Sequence, residues 1–322
     1  MTPADQSAQA LTSYVKDEAL RLGFSKVGVA RAETLLEEGD RLGEWLARGY
    51  HASMGWMART PEKRSDPDLV LPGVRSIVSV ALNYHTGGPH PDDPSVGKIS
   101  RYAWGDDYHA IVLRRLELLM TAILARAPGA RGKVYVDTGP VMEKAWAERA
   151  GIGWRGKHTN VITKEYGSWV FLGELLLTVP LIYDAPAVDH CGTCTLCIEA
   201  CPTDAIVAPY VVDSNACISY LTIEHRGDIA RELGERFDRW IYGCDICQDV
   251  CPWNHRFTQG STIQEFQARP VNERPTLDAI TTLTDAKFSE QYRNSPMKRT
   301  KRSGLVRNAR VALPPGHLPT PT

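Results

Sequence analysis

The sequence predicts an α/β protein joined to a second, cysteine-rich unit. Three observations carry that expectation. Strand-like and helix-like periodicities alternate over roughly residues 1–180. From His190 to about Trp253 the pattern breaks into short segments, and all eight cysteines fall there. A chain of 322 residues is also long enough for about two domains.

The elements follow in order. Ala8, Leu11, Val15, Ala19 and Leu22 recur at helical spacing, and Gly23 stops that helix. Lys26 to Ala30 reads as a short strand, followed by a helix from about Thr34 to Arg48. Ser76 to Leu82 is a β-branched apolar run that reads as a central strand, and the Gly-, Pro- and Asp-rich stretch from Thr86 to Ser95 reads as a surface loop. Tyr108 to Ala127 is a long helix, with leucines at 113, 116 and 119, that ends at Pro128-Gly129. Lys133 to Asp137 is a strand with Asp137 at its carboxyl end, and Pro140 starts a helix that runs through Ala150 and closes at Gly151. Strands follow near Asn160–Thr163 and Ser168–Val179. The stretch from Ser168 to Ile182 is the most apolar, but it contains Glu174 and Pro180 and is too short to span a bilayer. The expected domains are residues 1–182, 183–256 and 257–322. The last of these has weak periodicity and ends in a Pro-rich tail expected to be disordered. No repeat of solenoid period is present.

Composition excludes some function classes. The chain is 43% hydrophobic and 23% charged, as globular proteins are. Its net charge of −1 gives no global field toward nucleic acid or anionic lipid, so a polyanion site must be a local patch. The N-terminal MTPADQSAQA has neither a basic nor an apolar leader region, and a cytoplasmic location is expected. Eight cysteines in a reducing compartment point to metal or redox work rather than disulfides.

Their spacing is specific. Cys191, Cys194, Cys197 and Cys201 form C-x2-C-x2-C-x3-C followed by Pro202. That is the bacterial ferredoxin run, whose fourth cysteine ligates the other cluster. Cys244, Cys247 and Cys251, followed by Pro252, repeat the run without its first member, and Cys217 is available to replace it. Exchanging the fourth ligands gives one set of Cys191, Cys194, Cys197 and Cys251, and another of Cys217, Cys244, Cys247 and Cys201. Two [4Fe–4S] clusters use every cysteine. A zinc ribbon on the two C-x2-C pairs would leave four idle. Clusters alone do not say what is reduced: a simple electron carrier and an enzyme fed by the clusters both remain open. The large domain in front favours the enzyme.

The stretch VDTGPVMEKAWAERAGIGWRGKHTNVI (Val136–Ile162) continues into YGSWVFLGELL, CGTCTLCIEACPTDAI, ACISYLTIE and YGCDICQDVCPWN. With EKRSDPDLVLPGVRSIV and ISRYAWGDDYH upstream, it resembles the epoxyqueuosine reductases. The resemblance runs from near the N-terminus to about residue 255, with an echo in GLVRNARVAL near Gly304–Leu313. It implies a nitroreductase-like cobalamin domain beside a ferredoxin-like one, with a short helical C-terminal segment. It also implies removal of the epoxide oxygen of epoxyqueuosine in a tRNA anticodon loop, with cob(II)alamin fed by the two clusters from an external electron donor. A monomer that uses no membrane is expected. Some members continue into a HEAT-like repeat, of which this chain has no full copy.

Deoxygenating an epoxide takes two electrons and two protons and releases water, so a general acid must protonate the departing oxygen. Asp137 is the candidate. Ligand sites of α/β sheets lie at strand carboxyl ends, a carboxyl against an apolar corrin is expected to have a raised pKa, and the family's proton donor falls on this position. From the residues alone, a helix cap or turn role competes. The resemblance further implies cofactor contacts at Arg64, Ser100, Lys157, His158, Asn160 and Ser219 beside Asp137. Arg64 is suited to an amide or phosphate oxygen, and Lys157, His158 and Asn160 follow glycines 151, 153 and 156, where backbone approaches a large ligand closely. Asp107-Tyr108-His109 begins like a cobalt-ligating D-x-H-x-x-G element, but Val112 replaces its glycine, so His109 is not assigned as a ligand. For tRNA, Lys298, Arg299, Lys301, Arg302, Arg307 and Arg310 form the densest basic cluster. Trp56, Trp104 and Tyr108 are candidates for stacking on a splayed base, with core packing the competing role. A corrinoid reductive dehalogenase is the nearest competing enzyme, but it commonly carries a twin-arginine leader, and none is seen here.

Overall fold

The computed structural model describes residues 3–314. The Pro-rich tail from residue 315 on lies outside them. Helix α1 (Pro3–Arg21) leads through Gly23, which adopts φ +86°, into strand β1 (Lys26–Arg31). Helix α2 (Leu36–Ala47) follows, then strand β2 (Ser76–Asn83), helix α3 (Tyr108–Arg126), strand β3 (Gly132–Tyr135), helix α4 (Glu143–Arg149) and strand β4 (Val170–Leu177). The strands form one sheet in the order β1-β2-β4-β3.

Every pairing in that sheet is antiparallel. The architecture is therefore mixed α and β, with helices on both faces of an antiparallel sheet. β2 is buried at all eight positions, as its unbroken apolar run requires of an inner strand. One face packs α1 and α3 through Val15, Ala19, Val112, Leu116, Leu119 and Ile123 against Val78, Val80 and Leu175. The other face packs α4 through Ala145, Trp146 and Ala147 against Ile77, Ala81 and Leu176. α4 approaches β1 so closely that a Cβ on Gly28 would stand 1.9 Å from the Ala150 carbonyl oxygen. Only glycine fits there.

Two boundaries differ from the sequence reading. β3 ends at Tyr135, so Val136 and Asp137 lie beyond the strand, and α4 begins at Glu143 rather than Pro140. The intervening turn places Asp137 at φ +56°, a left-handed conformation that Asp tolerates better than most residues.

The cysteine-rich stretch is built from short pieces. Ahead of it, Trp154–Arg155 and Val161–Ile162 pair as a small antiparallel ladder. Helix α5 (Ile218–Ile223) follows Cys217, and strand β5 (Trp240–Tyr242) pairs in parallel with Lys98–Ile99. The C-terminal helix α6 (Lys301–Ala312) closes a separate core with Ile99, Trp104, Ile241, Tyr242, Leu277 and Tyr292. Its Asn308 amide donates to the carbonyls of Thr222 and Ile241, at 2.8 Å each. Among the described residues, no helix is long and apolar enough to cross a membrane.

Candidate active site

The eight cysteines are free thiols. Burial pushes the Cys197 thiol up to about 11, and its neighbours Cys191, Cys251 and Cys194 add to that shift. Cys244 is pushed up by burial and then by Cys247, with Cys217 beside it. Cys247 is raised by burial and by Cys217, and Cys201 lies within the same range. The thiols thus gather as two fours, each borrowing one member from the other's run. Cys197 also lies within range of Cys247, so the two groups adjoin. Among the described residues, no three Cys, His, Asp or Glu side chains close around a single ion. The four thiolates of a cubane each hold a different iron and stand further apart than one ion's ligands.

The residues around the first four are strongly tied. The Lys157 ammonium donates to the carbonyls of Gly192 at 2.6 Å and Cys194 at 3.0 Å. Asp189 accepts from the Cys191 N–H at 2.7 Å. His158 is buried, with Nδ1 accepting from the Asn160 N–H at 3.2 Å, and desolvation with the nearby Lys144 charge pushes it down to about 4. Both Lys157 and His158 line a small cavity with Cys191, Cys194, Cys197 and Cys251. At the second four, Ser100 is 2% exposed and its hydroxyl donates to Asp245, which lies between Cys244 and Cys247. Asp245 also accepts from the Arg101 backbone at 2.9 Å and guanidinium at 3.0 Å, and His90 stands 3.1 Å away. The Ser219 backbone N–H faces the Cys217 sulfur. Lys157 and Ser100 thus tie down the cysteine loops, the Ser219 N–H lies beside Cys217, and His158 lines the first cluster's cavity with Nε2 unpartnered.

A cleft of about 920 Å³ opens beside them. Asp137, Arg64, Glu143 and Lys144 line it, with Leu42, Met54, Met57, Val141 and Met142 as its apolar part and Tyr210, Val212 and Ser214 from the cysteine-rich stretch. Arg64 keeps a buried Nε without a partner, and one terminal nitrogen reaches the Trp56 carbonyl only at 3.4 Å. Asn160 accepts from the cleft's Lys144 at 3.1 Å.

Asp137 ends a charged relay centred on His109. Its Oδ2 stands 3.2 Å from His109 Nε2, and His109 Nδ1 stands 2.7 Å from Asp107 Oδ1. Burial works against charge on His109, but its hydrogen bonds to Asp107 and Asp137 outweigh that and hold the imidazolium up to about 9. The hydrogen bond from His109 in turn holds the Asp137 carboxyl below its usual range, with Tyr108 contributing. The raised pKa expected of Asp137 belongs to its contact with a corrin; in the protein alone the His109 hydrogen bond dominates. His109 serves the carboxylate and is no isolated ligand. The antiparallel sheet also removes the parallel-sheet argument for Asp137; its place follows from the turn, whose backbone N–H donates to Glu143 Oε1.

The family described as "Epoxyqueuosine reductase QueG, DUF1730" matches residues 64–138, and "4Fe-4S double cluster binding domain" matches residues 190–254. An epoxyqueuosine reductase from Synechocystis sp. is 48% identical over 86% of this chain and 96% of its own length. The chain belongs to the epoxyqueuosine reductase family. Another member, from Gloeobacter violaceus, is 48% identical over 94% of this chain and 95% of that one. The crystal structure of an epoxyqueuosine reductase with an epoxyqueuosine-modified tRNA-Tyr stem loop superposes at TM-score 0.88, with 33% identity, covering 94% of this chain and 80% of that one. The 4Fe–4S double-cluster match spans all eight cysteines.

The basic cluster is thinner than its sequence suggests. Arg299 bonds Glu224 at 2.7 and 2.9 Å, Arg302 bonds Asp285 at 2.8 Å, and Arg307 donates to the carbonyls of Leu221, His225 and Gly227. Lys298 reaches Ser289 at 3.4 Å, while Lys301 and Arg310 are exposed. Trp104 is core, donating to the Ile99 carbonyl at 2.7 Å, and Tyr108 stacks on Phe171 with ring centres 4.2 Å apart. Trp56 alone of the three aromatics is exposed, with the Arg299 guanidinium 5.3 Å over its ring.

Sequence reasoning met Asp107 only as part of a failed cobalt-ligand motif and passed over Asp245 and Glu143. Glu174 gave a signal as the lone charge in an apolar strand, but its partner was not visible.

Proposed function

We propose that this protein reduces the epoxide of epoxyqueuosine in a tRNA anticodon loop to queuosine, with Asp137 as proton donor. The observation that carries the reading is the Asp107–His109–Asp137 relay at a large cleft, directly beside two gathered sets of four thiols. A pure electron carrier would give that cleft and relay no task. In this reading residues 1–182 form a nitroreductase-like domain, 183–256 the ferredoxin-like unit and 257–322 a helical appendage.

Cob(II)alamin fits the cleft's chemistry. The apolar methionine and leucine wall suits a corrin face, and the orphaned Arg64 Nε suits an amide or phosphate oxygen of the cofactor. When bound, cobalamin supplies the low-valent cobalt that passes cluster electrons to the substrate. Asn160, which accepts from Lys144, takes part only through that lysine. Lys157, His158, Ser100 and Ser219 hold the cluster loops. Each C–O bond of the epoxide breaks more easily as its oxygen gains a proton, and Asp137 stands where that proton is delivered. Cys191, Cys194, Cys197 and Cys251 hold one [4Fe–4S] cluster, and Cys217, Cys244, Cys247 and Cys201 the other. A low-potential one-electron donor fills them from outside, and the protein works as a cytoplasmic monomer. Lys301, Arg310 and the Trp56–Arg299 pair supply phosphate and base contacts to the stem loop.

The test is anaerobic reconstitution with iron, sulfide and cobalamin, followed by reductant and tRNA from cells lacking the activity. Nucleoside mass spectrometry should show epoxyqueuosine converted to queuosine. No conversion by a fully loaded protein overturns the reading.

A further inference from the structure

The reaction above consumes two protons, and Asp137 carries at most one. It is also held ionised at rest by the His109 imidazolium. A second proton source is therefore needed near Asp137.

Glu174 lies in the middle of β4, opposite Ser79 of β2 and Tyr135 of β3, and is 0% exposed. Neither of its carboxyl oxygens meets an N–H or hydroxyl donor. An ionised carboxylate in such a place has neither water nor a donor to stabilise it, so the group holds a proton. Its polar neighbour is Glu143, the first residue of α4, and the two carboxyls are placed to share that proton. Glu143 in turn lines the cleft, and its Oε1 accepts the backbone N–H of Asp137. The pair thus runs from the dry centre of the sheet to the turn that carries the proton donor. Burial and the Asp137 charge push Glu143 up to about 7, against its hydrogen bond with Glu174, and burial and the Glu143 charge push Glu174 well up. The other charged groups facing the pair are Asp137, Lys144 and Arg64, and the Tyr108 hydroxyl also feels Glu143.

We propose that the Glu143–Glu174 carboxyl pair stores the second proton of the epoxide reduction and hands it to Asp137 through Glu143. The inference rests on the function proposed above. Two C–O bonds break and one C=C bond forms; the two electrons come from the external one-electron donor. The oxygen leaves as water with two protons that pass through Asp137 in turn: the resting carboxylate takes the first from solvent, to which it is open, and Glu143 hands it the second. An alkoxide or hydroxide is far more basic than any carboxylate, so the relay runs downhill once the epoxide opens. His109 cannot take this part cheaply: losing its proton would leave Asp107 and Asp137 facing a neutral ring. Glu143 and Glu174 act through Asp137 and are positioning residues in that sense.

Glu143→Gln and Glu174→Gln in the cluster- and cobalamin-loaded protein test this. In Glu143→Gln the side-chain amide oxygen can still accept the Asp137 N–H, so the turn is kept while the proton is lost. Expected is a fall in kcat of about 10²-fold near pH 8 with KM for the stem loop unchanged, and partial recovery near pH 6 as solvent replaces the store. A second readout is the infrared carbonyl band of a protonated carboxyl in the unloaded protein at neutral pH, present in the parent and absent in Glu174→Gln. If Glu174→Gln does not fold, Glu143→Gln gives the kinetic arm alone. A Glu143→Gln enzyme with the parental rate and pH profile overturns the proposal, as does a parent protein without the band. The band reports on the pair whether or not epoxyqueuosine is the substrate, so the two failures are distinguishable.

Discussion

His109 is clasped between two carboxylates, with Nδ1 2.7 Å from Asp107 and Nε2 3.2 Å from Asp137. Its charge fixes the orientation of Asp137, which sits exposed on a left-handed turn with no strand to hold it.

The clasp makes stability depend on pH. An unfolded imidazole releases its proton at about 6.5, whereas His109 in the fold holds it to about 9. Its contribution is complete below the lower value and is lost as pH rises through the upper one. In thermal melts of the unloaded protein, Tm should fall more between these limits in the parent than in His109→Gln. Parallel falls would show that the imidazolium contributes nothing.

Asp137→Asn should abolish turnover, by about 10²-fold or more, because an amide has no acidic proton to give. Cobalamin binding, followed by its absorption spectrum, should be unchanged. Loss of the cofactor instead would make Asp137 a structural residue of the cleft.

Lys157→Met removes the ammonium that gathers the Gly192 and Cys194 carbonyls. Charge-assisted hydrogen bonds are worth about 1.5–3 kcal/mol each, so the first cysteine loop should loosen. Iron analysis after reconstitution should show less metal per chain, with the deficit growing under mild chelation. Full retention of iron would show that the loop is shaped by the cluster alone.

Gly28→Val tests the contact between α4 and β1. A Cβ there overlaps the Ala150 carbonyl, a backbone atom that cannot swing aside. Overpacking typically costs about 1–3 kcal/mol, and the collision here is with main chain. Denaturant unfolding should place the variant at or above the top of that range; a neutral variant would mean that α4 slides freely on the sheet.

Periodicity carried the large elements well. The helical spacing of α1 and α3 and the solid apolar run of β2 follow from the faces they bury, and the structure puts them where that spacing requires. Antiparallel strand order was not legible, because a strand buried on both faces reads alike in either direction. Asp137 was found through its place after KVYVD, but the His109 charge beside it was not legible, since it comes from a different helix. The six clustered basic residues show a similar limit. Charge density in sequence says nothing of which guanidiniums Glu224, Asp285 and a row of carbonyls have already taken. The hydrogen bonds that Ser100 and Lys157 make to Asp245 and to the Gly192 and Cys194 carbonyls were likewise beyond the sequence, because they join segments far apart in the chain.

The proposed exchange of Cys201 and Cys251 between the two groups has a consequence for synthesis of the chain. One group is complete only when Cys247 leaves the ribosome, and the other only when Cys251 does. The four cysteines from 191 to 201 are made long before either, and must wait as exposed thiols. On that pairing both groups become complete within a few residues of each other, so a nascent chain with one filled centre is a short-lived species.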